Sequence, residues 1–296
     1  MRIFDCFMYF DEDLVLDVRL NYLDPFVDYF VIVESSFTHR GERRDLKFDI
    51  NKFIKFKDKI IYKVYDEIPD GIQKVFDNDD KTTKTNKHIF NAIFRENAQR
   101  NYLFKGIINA DPEDFILISD VDEIPNLAYA NLKNINHKII LFKQEMFYYK
   151  FNLKLPNTNW IGTKACRKKD LLSPQWLRNV KDRKYAFYRL DALFSDKKFI
   201  NIKIIDNGGW HFTNLKTAEE IKHKLRSYLH HAEFDLEPLN TKEIETIMKS
   251  KQAIYDLAAD KRLNKIGKGS KLEKYDLENL PDIIKLNYNK YKDWLD

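Results

Sequence analysis

The sequence predicts an α/β fold: a single domain on a mostly parallel central sheet flanked by helices, with a helical extension at its C-terminal end. Three observations carry this. Continuous apolar runs, Val31-Ile32-Val33 and Phe115-Ile116-Leu117-Ile118, read as strands buried on both faces. Stretches with helical apolar spacing separate the early runs, the alternation expected of parallel strands joined by right-handed crossovers. The 296 residues suffice for one large α/β domain or two small ones, and eight Gly and eight Pro leave no long flexible linker between them.

In chain order, Ile3 to Phe10 is the first buried strand. Leu14, Val15, Val18 and Tyr22 then recur at helical spacing, with Asp11 or Asp13 as cap and Asp24-Pro25 as stop. Val27 to Val33 is the second strand and Ile60 to Tyr65 the third, and the basic interval between them reads as irregular. A helix over 86–104 places Ile89, Phe90, Ile93 and Phe94 on one face and Arg95, Glu96, Gln99 and Arg100 on its later turns. It leads into Asp114 to Pro125. Strands follow over 138–151, 160–165 and 199–205, with a short helix around Trp176. Asn207-Gly208-Gly209-Trp210-His211-Phe212 continues the last strand. Thr217 to Glu220 is a capping box for a helix carrying Ile221, Leu225, Tyr228 and Leu229. Another helix is expected near 242–259.

Composition excludes several classes. Two cysteines, Cys6 and Cys166, give neither a disulfide framework nor a metal cluster, and favour a reducing compartment. A net charge of +5 is too diffuse for nucleic-acid binding. No apolar run of about 18 residues is present, and Met1-Arg2 runs into strand one without a cleavage site, so a cytoplasmic location is expected. The stretch 249–274 is locally basic. Peripheral membrane contact is one reading of it; a solvated face is the plainer one.

The chemistry concentrates at Ser119-Asp120-Val121-Asp122-Glu123-Ile124-Pro125. The apolar run before it puts Asp120 and Asp122 at the carboxyl end of a central strand, where α/β sheets bind ligands. Pro125 should keep the residues beyond it from joining a sheet. Two neighbouring carboxylates repel, and a divalent cation such as Mg2+ or Mn2+ relieves that repulsion. A lone Asp-x-Asp is ordinarily a solvated turn; the flanking residues shift the reading toward a metal site. The strand ends Asp11-Glu12, Glu34-Ser35 and Asp120 to Asp122 should converge on one crevice, with acceptors for a base and ribose and a cation for a diphosphate. Arg95 and Arg100 would add fixed positive charge beside it. Trp210-His211 comes after two glycines that let backbone approach a ligand closely, and His211 is a candidate third metal ligand. Glu233 and Asp206 are candidate general bases.

These motifs, in this order, resemble glycosyltransferase family 17, the bisecting N-acetylglucosaminyltransferase family. Asp13 to Leu20 is similar to its opening helix, and Val31 to Gly41, containing Glu34, Ser35 and Thr38, to its second strand and loop. Arg95-Glu96 with Gln99-Arg100, Ser119 to Pro125, Gly209 to Phe212, and Lys224 to Ser227 with Glu233-Phe234 supply the rest. The resemblance implies a GT-A-type fold over 1–235, with a nucleotide half to about 125, an acceptor half from 126, and a packed extension over 236–296. It implies a uridine diphosphate-linked donor, a divalent metal, inversion at the anomeric carbon, and transfer of N-acetylglucosamine or a related hexose to a glycan hydroxyl. Asp120 and Asp122 would form the metal motif, Glu34 would lie beside the nucleotide, and His211 near metal and diphosphate. Two rival readings fit less well. An Asp-dependent phosphatase would continue Asp-x-Asp with small residues and Thr, unlike Val121 and Glu123-Ile124-Pro125. A carbohydrate-binding protein would use Tyr148, Tyr149, Trp160 and Trp210, yet aromatics at strand spacing are more often core.

Overall fold

The computed structural model describes residues 1–296 apart from 159, 187, 190, 192–193, 228–233, 235–237 and 256–268. Four parallel strands form one half of the sheet: β1 (Ile3–Tyr9), β2 (Tyr29–Ser35), β3 (Ile60–Tyr65) and β4 (Phe115–Asp120), in the order β4-β1-β2-β3. Their side chains alternate between two cores. Phe7, Phe30, Ile32, Phe115 and Leu117 pack on one face with Leu16 and Leu20 of α1 (Asp13–Leu23). Cys6, Val31, Val33, Ile116 and Ile118 pack on the other with Leu103, Trp176 and Leu177, the last two from α3 (Pro174–Asn179). The crossover before β4 carries α2 (Lys81–Tyr102), capped by the Asp80 side chain on Thr83 N.

The other half corrects the expectation of a mostly parallel sheet. β8 (Trp160–Arg167) runs antiparallel to β4, and β6 (Ile139–Tyr148) antiparallel to β8. The connection from β6 to β8, with only two-residue β7 (Leu153–Lys154) inside it, is too short for a helical crossover, so the strands return antiparallel. β9 (Ile202–Ile205) and β10 (Gly209–Thr213) pair parallel to β6, and β11 (Glu273–Lys274) pairs with β7. The whole is a mixed sheet flanked by helices.

One further expectation holds and two are revised. Pro125 does end the pairing: β5 (Glu123–Pro125) pairs antiparallel with β10, with Pro125 its final residue opposite Gly209. No side chain caps the start of α1; Glu12 instead accepts from Phe10 N and Asp11 N at 3.0 Å. Phe90 and Phe94 of α2 stay exposed, whereas Asn91, Gln99 and Arg100 are buried, because its polar turns are the ones facing sheet and cleft.

Toward the C-terminus lie α4 (Ala218–Ser227), behind the predicted Thr217/Glu220 capping box, and α5 (Thr241–Lys249), capped by Asn240 with Glu243. α5 ends well before the expected 259, and part of the basic 249–274 stretch lies outside the described residues. In α6 (Asp282–Leu286) and α7 (Tyr288–Tyr291), Ile284 and Tyr291 join Leu280 in the same core as α1. Among the described residues, no helix is long and apolar enough to cross a membrane.

Candidate active site

The site is built where β4 turns into β5. The Asp122 carbonyl accepts from Phe212 N at 2.8 Å, and His211 sits opposite Glu123 in the β5–β10 pair. Residues some ninety positions apart are thereby stitched together. The two glycines serve this stitching and not a ligand. A Cβ on Gly209, whose φ is +126°, would lie 2.1 Å from the Ile124 carbonyl oxygen; one on Gly208 would lie 2.6 Å from Lys143 N.

Asp120 is held between two guanidiniums, with Arg100 Nη2 at 3.1 Å and Arg178 Nη2 at 3.2 Å. Burial opposes its ionisation, but Arg178 and Arg100 outweigh it and keep the carboxyl far below its ordinary range. Glu123, fully buried, accepts from Asp120 N and Trp160 Nε1, each at 2.8 Å, and from Arg178 at 2.7 Å. Burial works against the Arg178 charge, and Glu123 and Asp120 more than restore it. Asp122 lies 3.5 Å from His211 Nε2 and 3.9 Å from Lys224 Nζ. Burial disfavours its charge as well; His211 and Lys224 reverse that and lower its pKa. For His211 burial lowers the pKa, yet Asp122 prevails and raises it. The half-buried His39, paired through Nε2 with Gln99 at 3.2 Å, is instead shifted down by desolvation.

These groups open onto a cleft of about 490 Å3. One wall comes from the ends of β1 and β2: Phe10, Glu12, Ser35, Thr38 and Arg44. A second comes from α2 and α3: Glu96, Gln99, Arg100, Gln175 and Arg178. Opposite lie Tyr148, Trp160, His211 and Lys224.

Of the residues singled out in the sequence, Ser35, Thr38, Arg100, Asp120, Asp122 and His211 line this cleft. Five others do not. Glu34 is fully buried behind it, accepting from Lys47 N, Phe48 N and Tyr62 and pairing with Arg44 at 3.0 Å, so that it fastens the loop after β2 to β3. Asp11 pairs with Lys216. Arg95 reaches the His39 and Arg40 carbonyls at 3.2 and 3.3 Å. Trp210 packs edge-on to Tyr22 and donates Nε1 to the Asn279 carbonyl at 2.9 Å, tying down the C-terminal segment. Asp206 is exposed on the β9–β10 turn, 3.6 Å from Lys143. Glu233 lies outside the described residues. Conversely, sequence reading gave no chemical role to Arg178, Glu123 or Lys224, and named Trp160 only under the rival carbohydrate-binding reading. Nothing local to Arg178 flags it beyond the Ser173-Pro174 helix start; Glu123 lay inside the acidic motif itself.

Among the described residues, no three His, Cys, Asp or Glu groups stand close enough to enclose a metal ion. The charge balance nevertheless suits a cation. Among the described residues, Glu12, Glu96, Asp120, Asp122 and Glu123 are linked through Arg100, Arg178 and Lys224, with His211 beside Asp122. A His211 that ligated a cation would give up the proton Asp122 favours, leaving those five carboxylates against three cations. Asp120 is committed to the arginines, so Asp122 and His211 are the two side chains fit to ligate, and a bound ligand must supply the remaining donors.

The profile of glycosyltransferase family 17 matches residues 1–295. The human beta-1,4-mannosyl-glycoprotein 4-beta-N-acetylglucosaminyltransferase is 30% identical over 152 residues, 49% of this chain and 26% of that protein. Its mouse counterpart is 27% identical over 184 residues, 60% of this chain and 32% of that protein. The matches thus span a third or less of these curated relatives. With its profile covering nearly every residue, the chain belongs to glycosyltransferase family 17.

Proposed function

We propose that this protein is a metal-dependent inverting glycosyltransferase that moves N-acetylglucosamine or a related hexose from a uridine diphosphate donor to a glycan hydroxyl. The observation that carries the reading is the cleft-facing Asp122 carboxylate, set beside His211 and Lys224 at the end of a central strand. The relatives' names supply the sugar.

A Mn2+ or Mg2+ ion on Asp122 and His211 would neutralise the diphosphate as it leaves. Arg100, Arg178 and Lys224 add fixed positive charge around the cleft and need no reorganisation during reaction. Asp120 keeps the two guanidiniums apart and oriented. Trp160, tilted over the His211 ring at 5.3 Å between centroids, fixes that ring and offers an apolar wall to a sugar. In the reaction, an acceptor oxygen forms its bond to the anomeric carbon as the bond to the diphosphate oxygen breaks, from the opposite face. The acceptor proton passes to a carboxylate. Glu233 is the proposed base; it comes shortly after α4, whose last residue, Ser227, lines the cleft.

A donor screen that measures nucleotide diphosphate release with and without Mn2+ tests this. Asp122→Ala should abolish release while melting like the wild type. Undiminished turnover in that variant refutes the site.

A further inference from the structure

Arg19 lies on α1, on the far side of the sheet from the arginines that hold Asp120. Its side chain is fully buried. Nε donates to Asp5 at 2.8 Å, and Nη2 to Asp5 and the Ser119 hydroxyl, each at 2.5 Å. Nη1 is shared among three carbonyls of one turn: Asp120 and Val121 at 3.1 Å and Glu123 at 2.8 Å. One guanidinium thus spans the end of β4, the turn and the start of β5.

We propose that Arg19 is a positioning residue of the active site, holding the Asp120–Glu123 turn from beneath so that the Asp120 and Asp122 carboxylates face the cleft before substrate arrives. Packing alone does not call for this arrangement. A buried ion pair is often no more stable than apolar residues of the same volume, so a charge between sheet and helix needs another reason. The reason lies in the fork. Carbonyls drawn toward Nη1 fix the backbone of the turn, and with it the Asp120 and Asp122 side chains that line the cleft. A lysine could keep the charge opposite Asp5, but its compact ammonium cannot reproduce a planar fork that meets Asp5, Ser119 and three carbonyls together. Arg19 never touches substrate; it acts through Asp120 and Asp122. The inference rests on the proposed function for the step it serves, not for its geometry.

Arg19→Lys tests it, with Asp5→Leu/Arg19→Met as the second variant. Three readouts are taken: thermal melting, hydrogen exchange of backbone amides across residues 120–124, and donor-dependent release of uridine diphosphate in Mn2+. In a folded variant, turn amides should exchange faster while those of β1 and β2 keep wild-type protection, and turnover should fall about 100-fold, the cost of an ångström-scale misplacement. Unchanged exchange and turnover in either folded variant overturns the proposal. So does loss of protection across β1, α1 and the turn together, or failure of both variants to fold, since Arg19 would then serve folding alone. Should the wild type release nucleotide from no donor, the proposed activity fails while the exchange measurement still decides the positioning role.

Discussion

Replacing Glu123 with alanine would strand the most heavily shared buried charge in the site. Four donors lose their acceptor together: Asp120 N, Trp160 Nε1 and both terminal nitrogens of Arg178. Arg178, largely buried, keeps only Asp120 at 3.2 Å and the Gly162 carbonyl at 2.6 Å. Removing one partner of a buried pair costs about 3–5 kcal/mol, and the surviving Asp120 contact places this case near the lower end. For a protein of this size, a loss of about 3 kcal/mol lowers the melting temperature by roughly 6–12 °C. Glu123→Gln retains an acceptor for Asp120 N and should lose less, about 1.5–3 kcal/mol, the worth of a charged hydrogen bond. Differential scanning calorimetry of the two variants beside the wild type measures both drops. A Glu123→Ala protein melting within about 2 °C of wild type would refute the reasoning, because Arg178 would then not depend on Glu123 for compensation.

Two other perturbations test the scaffold. Gly209→Ala forces a Cβ to within 2.1 Å of the Ile124 carbonyl oxygen at a φ of +126°. Strain of this kind costs on the order of 1–3 kcal/mol before any steric shift, so stability should fall, and turnover with it as β10 and His211 leave β5; a silent substitution would show the close approach to be dispensable. Asp114 accepts from Arg2 N at 2.6 Å and Asp111 N at 2.8 Å and pairs with the Arg2 guanidinium. Burial raises its pKa, but these donors overcome that and hold it below the ordinary value. A lowered carboxyl pKa contributes stability above the unfolded value near pH 4, and that contribution is lost as pH falls through the folded one. The melting gap between wild type and Asp114→Asn should therefore be widest near neutrality and close below about pH 4. A gap independent of pH would show that charge is not what Asp114 supplies.

The sheet's parallel half was legible because β1, β2 and β4 are buried on both faces and so read as apolar runs, Phe115 to Ile118 being the plainest case; edge strand β3 is only half-buried. The antiparallel half was not, since pairing direction depends on connection length and partner choice, neither of which leaves a local pattern. The same divide runs through the site. Asp120, Asp122 and His211 could be proposed for one cleft from motif and resemblance, and all three line it. Glu34 and Trp210 carried equal weight in the sequence yet point into structure, because buried polar groups find partners wherever the chain brings donors. Gly208 and Gly209 signalled close approach correctly and its target wrongly.

By itself, then, the sequence determined the family and the local chemistry: which strand ends in carboxylates, and which helix turns carry arginines. Only tertiary structure decided that Arg178 and Arg100 would share Asp120, that Arg19 would reach the turn from beneath, and that Asp122 would be left to face His211. Charge pairing in a buried site is a contest among groups distant along the chain. Its outcome depends on distances that exist only after the sheet has formed.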